Sequence, residues 1–123
     1  MSNIAAVVVT YNRKKYLKIC LDSLLGQGKL LSSIIIIDNN SSDGTEQMLK
    51  EDYLDNPIFD YTNMKSNLGG AGGFNYGIES AYQKGFEWIW MMDDDVAPAK
   101  NSLNKYLKLT NKSSFIQGRR AHT

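Results

Sequence analysis

Ser33-Ile34-Ile35-Ile36-Ile37-Asp38-Asn39-Asn40-Ser41-Ser42-Asp43-Gly44 is the stretch whose reading decides the fold. Its apolar half shows no alternation, so it reads as a strand buried on both faces, the signature of a parallel sheet. Its polar half begins abruptly at Asp38. The same design precedes it, where the apolar, partly β-branched run Ile4–Val9 closes in Thr10-Tyr11-Asn12-Arg13. It recurs downstream, where Phe86–Met92 ends in Asp93-Asp94-Asp95.

Helical periodicity fills the intervals. Between Lys14 and Leu25, apolar residues at Tyr16, Leu17, Cys20, Leu21, Leu24 and Leu25 mark one helix face, with Asn12 as the expected N-cap and Gly26 as the stop. Asp43 followed by Glu46 resembles a capping box, Thr45, Met48 and Leu49 give the next stripe, and Asn56-Pro57 ends it. Phe59–Asn63 is a short third strand. Phe74, Ile78, Ala81 and Tyr82 then mark a helix stopping at Gly85. Pro98 opens a last helix carrying Leu103, Tyr106 and Leu107, and Ser114–Ile116 starts a fifth strand. Strands alternating with helices predict an α/β protein with a mostly parallel, doubly wound sheet. Ligands bind beyond the carboxyl ends of such strands. Four polar clusters, Thr10–Arg13, Asp38–Asp43, Asn67–Gly73 and Asp93–Asp95, all fall on that edge.

Composition narrows the chemistry. The 123 residues carry 14 Lys and Arg against 13 Asp and Glu, a net charge of +1, with 42% apolar residues. One soluble domain is expected, with no field drawing it to nucleic acid. The lone Cys20 excludes a disulfide within the chain and fits a reducing, cytoplasmic setting. The longest apolar runs fall far short of the roughly 18 residues of a spanning helix, and the amino terminus lacks the charge cluster of a signal peptide. The only histidine is His122, so a metal site would be built from carboxylates, which favours a hard ion such as Mg²⁺ or Mn²⁺.

Three adjacent carboxylates at a strand end repel one another unless a cation or solvent separates them. In extended backbone Asp93 and Asp95 point the same way and can face one divalent ion, while Asp94 turns to the other side. The alternative is a solvated acidic loop before the next helix. Asn67–Gly73 allows close approach of a ligand, as a phosphate cradle would, or tight packing of helix on sheet. Its spacing fails the G-x-G-x-x-G pattern, because the last position counted from Gly70 is Asn75. Asp38 is placed to accept hydrogen bonds from a ribose or base, or to serve the turn itself. Arg13 can stack on a base or pair with phosphate, or be an ordinary exposed arginine. Trp88 and Trp90 read as core.

Taken in order, these motifs resemble an inverting glycosyltransferase of family 2 with the GT-A fold. Val7-Val8-Val9-Thr10-Tyr11-Asn12-Arg13 resembles the opening strand and turn, Ile36-Ile37-Asp38-Asn39-Asn40-Ser41-Ser42-Asp43-Gly44-Thr45 the second strand and loop, and Met92-Asp93-Asp94-Asp95-Val96 the D-x-D element. Asn67-Leu68-Gly69-Gly70-Ala71-Gly72-Gly73-Phe74 points to the rhamnosyl- and galactofuranosyl-transferase branch.

The resemblance implies that Thr10, Arg13, Asp38 and Asn67 surround the nucleoside of a UDP- or dTDP-sugar, with Asn40 a further candidate. It implies that Asp93 and Asp95 hold Mn²⁺ or Mg²⁺, that Asp94 faces the ribose or sugar, and that Gly69 and Gly70 leave room for the sugar diphosphate. The acceptor would be a saccharide or lipid-linked saccharide in cell-surface polysaccharide synthesis, met at the inner face of the membrane. Members of the family also use a carboxylate base downstream of the D-x-D element. No Asp or Glu follows Asp95, so the base is expected beyond Thr123, the acceptor-binding part is expected to be absent, and residues 1–123 are expected to form a truncated donor-binding part. Two other readings stay open: a binding module without catalysis, and a nucleotidyltransferase. The second usually brings a basic Gly-rich loop after its first strand, and none lies between Val9 and Lys15.

Overall fold

The computed structural model of the chain describes residues 3–109 and 115–117. The strands are β1 (Ile4–Thr10), β2 (Ser33–Asp38), β3 (Phe59–Asn63), β4 (Trp88–Asp93) and β5 (Phe115–Gln117). The helices are α1 (Lys14–Leu25), α2 (Thr45–Asp52), α3 (Gly69–Gln83) and α4 (Ser102–Leu109). All strand pairs are parallel, in the order β3-β2-β1-β4-β5. The expected parallel α/β sheet is therefore observed. The chain winds outward from β1 in one direction and then returns to add β4 on its other side, so the order reverses between β1 and β4. Such a switch point leaves a crevice at the carboxyl ends of the two strands.

Burial on both faces explains the unbroken apolar runs. On one face Ile4, Ala6, Val8, Ile34, Ile36, Trp90 and Met92 pack with Leu17, Leu21 and Leu24 of α1 and with Met48 and Leu49 of α2. On the other, Ala5, Val7, Val9, Ile35 and Ile37 meet Ala81 of α3, flanked by Phe74 and Ile78. Cys20 is buried in the first layer, where loss of solvation raises its thiol to about 12 and keeps it protonated.

Several expectations are corrected in detail. Tyr16 and Leu25 of α1 and Tyr82 of α3 are exposed, because the buried stripes are narrower than the apolar ones. Asn12 does not cap α1. The helix starts after Arg13 without a cap from its own turn, and the free N–H of Lys14 instead donates to Oδ2 of Asp43 at 3.0 Å. Asp43 thus caps a helix that precedes it by a whole strand. The capping box also fails: Gly44 takes the N-cap of α2 with φ +90, and Glu46 turns away to accept from Asn63 and Tyr61. The helix marked from Phe74 begins five residues earlier, since α3 starts at Gly69 and takes in the glycine segment. β4 starts at Trp88 rather than Phe86, and α4 at Ser102 rather than Pro98. Ser114 and the side chains of Tyr106 and Leu107 lie outside the described residues.

Candidate functional site

Parallel register sets the ends of β1, β2 and β4 level with one another. Val9 pairs with Ile37 on one side and with Asp93 on the other, and Thr10 pairs with Asp38. At the switch point a cavity of about 240 Å³ is lined by Val9, Thr10, Tyr11, Arg13, Gly70 and Asp93–Asp95. Six of the residues singled out from the sequence therefore meet in one place: Thr10, Arg13, Gly70, Asp93, Asp94 and Asp95. The volume is below the ~300–1,000 Å³ in which whole small-molecule ligands are buried.

The triplet is not the extended segment expected: β4 ends at Asp93, and Asp94 and Asp95 form a turn closed by the Val96 N–H donating to the Asp93 carbonyl at 3.2 Å, yet exposure still alternates along it. Asp93 and Asp95 are exposed, whereas Asp94 is buried at 5% exposure. Oδ2 of Asp94 accepts the Thr10 hydroxyl at 2.8 Å, and the backbone N–H of Tyr11 also donates to this carboxylate. Burial raises Asp94 above the ordinary carboxylate range, against the pull of Thr10 and the Arg13 guanidinium, while the Asp95 charge raises it further. Arg13 lies over the rim, with Nη1 3.4 Å from Oδ2 of Asp95 and 3.8 Å from Oδ1 of Asp94. Among the described residues no group of three or more His, Cys, Asp or Glu side chains is arranged to hold a metal. Exposed Asp93 and Asp95 fit an ion that takes one or two carboxylates and completes its shell with phosphate and water oxygens, the habit of Mg²⁺.

Asp38, Asn40, Asn67 and Gly69 stand outside that lining. Asp38 has no exposure, and both its oxygens are engaged: Oδ1 accepts from the N–H and hydroxyl of Ser41 at 2.9 and 2.7 Å, and Oδ2 from the Tyr61 hydroxyl at 2.7 Å. Asn40 is exposed and left-handed at φ +68, a conformation asparagine tolerates better than most residues. Oδ1 of Asn67 accepts from the N–H of Gly69 at 2.8 Å, an Asx turn that leads into α3. Gly69 itself needs its φ of +77.

Close packing explains the later glycines. A Cβ on Gly73 would lie 2.7 Å from Cγ1 of Val9, and one on Gly77 2.4 Å from Cγ1 of Val7. These two residues bring α3 down onto β1. Gly70 has open space where its Cβ would be. The segment therefore serves both alternatives: packing at Gly73 and Gly77, clearance at Gly70.

The ties between loops leave no trace in the residue pattern. Asn12, at φ +51, donates its backbone N–H to Oγ of Ser41 at 2.9 Å, and its Oδ1 accepts the N–H of Ser42 at 2.7 Å. Asn39 joins the same edge to α3, donating to the Gly69 carbonyl at 3.0 Å. Tyr61, Asn63 and Lys50 all act on Glu46, and these bonds, led by that from Asn63, lower its carboxyl to about 2.

Comparison with known proteins follows the same geometry. The family description "Glycosyl transferase family 2" matches residues 5–123. The chain belongs to glycosyl transferase family 2. It is 35% identical over 101 residues to galactofuranosyltransferase GlfT1 of Mycolicibacterium smegmatis, covering 81% of this chain and 32% of that protein. Abequosyltransferase RfbV of Salmonella typhimurium is 37% identical over 104 residues, covering 81% of this chain and 30% of the relative. The chain thus spans about a third of the length of these relatives. Among solved structures, S. aureus TarS 1-349 in complex with UDP superposes with a TM-score of 0.75 at 23% identity, over 91% of this chain and 32% of that 1-349 chain. The Pyrobaculum calidifontis mannosyltransferase PcManGT, in complex with GDP-Man and Mn²⁺, gives 0.72 at 21% identity, over 88% and 32%. These two likenesses establish the GT-A type of fold. Among the described residues no helix is long and apolar enough to cross a membrane.

Proposed function

We propose that this family 2 chain is the donor-binding part of a glycosyltransferase that takes a nucleotide-diphosphate sugar and delivers its glycosyl group to a saccharide or lipid-linked saccharide acceptor. The observation that carries the reading is the convergence of Thr10, Arg13, Gly70 and Asp93–Asp95 in one crevice at the switch point between β1 and β4. The transferase names of the relatives and the nucleotide complexes of the two structural neighbours support it.

Each residue has a role that its chemistry suits. Asp93 and Asp95 are the exposed pair that would hold Mn²⁺ or Mg²⁺. When bound, such an ion neutralises the diphosphate and stabilises charge developing on the leaving group. Asp94, bonded to Thr10 and to the Tyr11 N–H, fixes the ends of β1 and β4 against each other and so sets the width of the crevice. Gly70, at the start of α3, leaves the backbone open to the sugar diphosphate. Arg13 brings the positive charge nearest the pocket for the anionic donor. Asp38, through Ser41, shapes the loop beside the nucleoside, with Asn40, Asn67 and Gly69 along the same edge. The donor would be a UDP- or dTDP-sugar, the setting cell-surface polysaccharide synthesis on the cytoplasmic side, and the partner acceptor one presented at the inner membrane face.

A donor screen by ligand-induced thermal shift, with nucleotide and sugar varied separately in excess Mn²⁺, tests this reading. Nucleoside diphosphates and their sugar esters are expected to raise Tm more than nucleosides or free sugars do. Equal or absent shifts across the panel would overturn it.

A further inference from the structure

Among the described residues, the cation set against the acidic triplet is one the protein supplies itself. Nη1 of Arg13 lies 3.4 Å from Oδ2 of Asp95 and 3.8 Å from Oδ1 of Asp94. The same side chain rests 6.0 Å from the centroid of exposed Tyr16. Its backbone is held: the preceding residue, Asn12, is tied on both sides to Ser41 and Ser42. Its side chain is half exposed, so it can leave the carboxylates by rotation without disturbing a packed neighbour. A guanidinium in that position neutralises part of the charge that three adjacent carboxylates concentrate. It also covers a lone pair of Asp95 that a metal ion would need.

We propose that Arg13 is an internal counter-cation of Asp94 and Asp95 which a divalent metal must displace, so that metal entry and the outward movement of Arg13 are one coupled event. The proposal rests on the donor-binding reading only in taking Asp95 as a metal ligand. It adds that the crevice without metal is guarded by its own cation, which keeps the triplet tolerable when no ligand is present. It further assigns Arg13 a position that depends on metal, pointing at the carboxylates without the ion and toward the open crevice with it.

Titration of Mn²⁺ alone into the 123-residue chain, read by the loss of the free-ion EPR signal, tests this. Arg13→Gln and Arg13→Ala are both expected to bind Mn²⁺ roughly two- to fivefold more tightly than the unaltered chain, the scale of an exposed ion pair removed. Far-UV circular dichroism verifies that each variant is folded. A second readout uses Mg²⁺, which is diamagnetic: the Arg13 side-chain Nε resonance is expected to shift along the same saturation curve as the metal. Unchanged or weaker Mn²⁺ binding in both variants overturns the proposal, as does tightening in Arg13→Ala alone, which would mark relief of crowding rather than of charge. Asp95→Asn separates the two levels of the argument. If it leaves Mn²⁺ binding intact, the metal reading fails and the counter-cation with it; if it weakens binding while the Arg13 variants match the unaltered chain, the counter-cation alone fails.

Discussion

The Thr10 hydroxyl donates to Oδ2 of Asp94 across 2.8 Å inside the wall between β1 and β4, joining the last residue of one strand to the residue just past the end of its neighbour. A carboxylate this buried needs its donors, because desolvation already disfavours its charge. Thr10→Val keeps the shape and deletes the donor. It is expected to destabilise the chain by about 1.5–3 kcal/mol, the range for a hydrogen bond to a charged group, read from urea unfolding at pH 7. A loss within about 0.5 kcal/mol would show that the Tyr11 N–H and water suffice.

The glycines of α3 separate packing from clearance. Alanine is ordinarily the better helix former, by roughly 1 kcal/mol. At Gly77 its Cβ would meet Val7 at 2.4 Å, so Gly77→Ala is expected to destabilise by about 1–3 kcal/mol despite that preference. Gly70→Ala meets nothing within 4 Å and is expected to leave Tm unchanged or raise it, while weakening binding of a nucleoside diphosphate. Thermal melts of the two variants, with and without UDP and Mn²⁺, check both signs.

Glu46 gives a pH dependence with a defined direction. Hydrogen bonds from Asn63, Lys50 and Tyr61 lower its carboxyl from 4.5 to about 2 in the folded chain. A lowered carboxyl stabilises the fold above its unfolded value, and this contribution is lost as pH falls from about 4.5 through about 2. Unfolding curves across that window are expected to flatten in Glu46→Gln relative to the unaltered chain. Parallel curves would show that the bonds from Tyr61 and Asn63 do not favour the charged form.

The cap of α1 is testable in the same way. Asp43 accepts the N–H of Lys14 from another loop, besides bonding Thr45. Asp43→Ala is expected to cost about 0.5–2 kcal/mol in denaturant unfolding, the range of a lost cap. If Asn12→Ala matched or exceeded that loss, the loop tie rather than the cap would dominate.

What was legible in the sequence is what depends on period and punctuation. Ile34–Ile37 and Val7–Val9 read as strands with both faces covered, and in a parallel sheet the polar residues after them fall on one edge. The convergence of Thr10, Arg13 and Asp93–Asp95 follows from that alone. What was hidden depends on register and reach. Nothing in the spacing says that Thr10 stands level with Asp38, or that Tyr61 on β3 meets Asp38 on β2. The cap of α1 is not legible because local capping signals lie in the helix's own first turn, whereas the acceptor of the Lys14 N–H comes from Asp43, 29 residues on. The glycine segment was ambiguous because clearance and packing place the same demand on composition. Only the positions of Val7 and Val9 beneath α3 divide it.

The central claim is that exposed Asp93 and Asp95 join a nucleoside diphosphate to this crevice through a divalent metal. Titration of UDP with and without Mn²⁺, on the unaltered chain and on Asp93→Ala combined with Asp95→Ala, tests it most directly. Binding is expected to be strengthened by Mn²⁺ in the first and insensitive to it in the second. UDP affinity that is independent of metal and equal in the two proteins would contradict it.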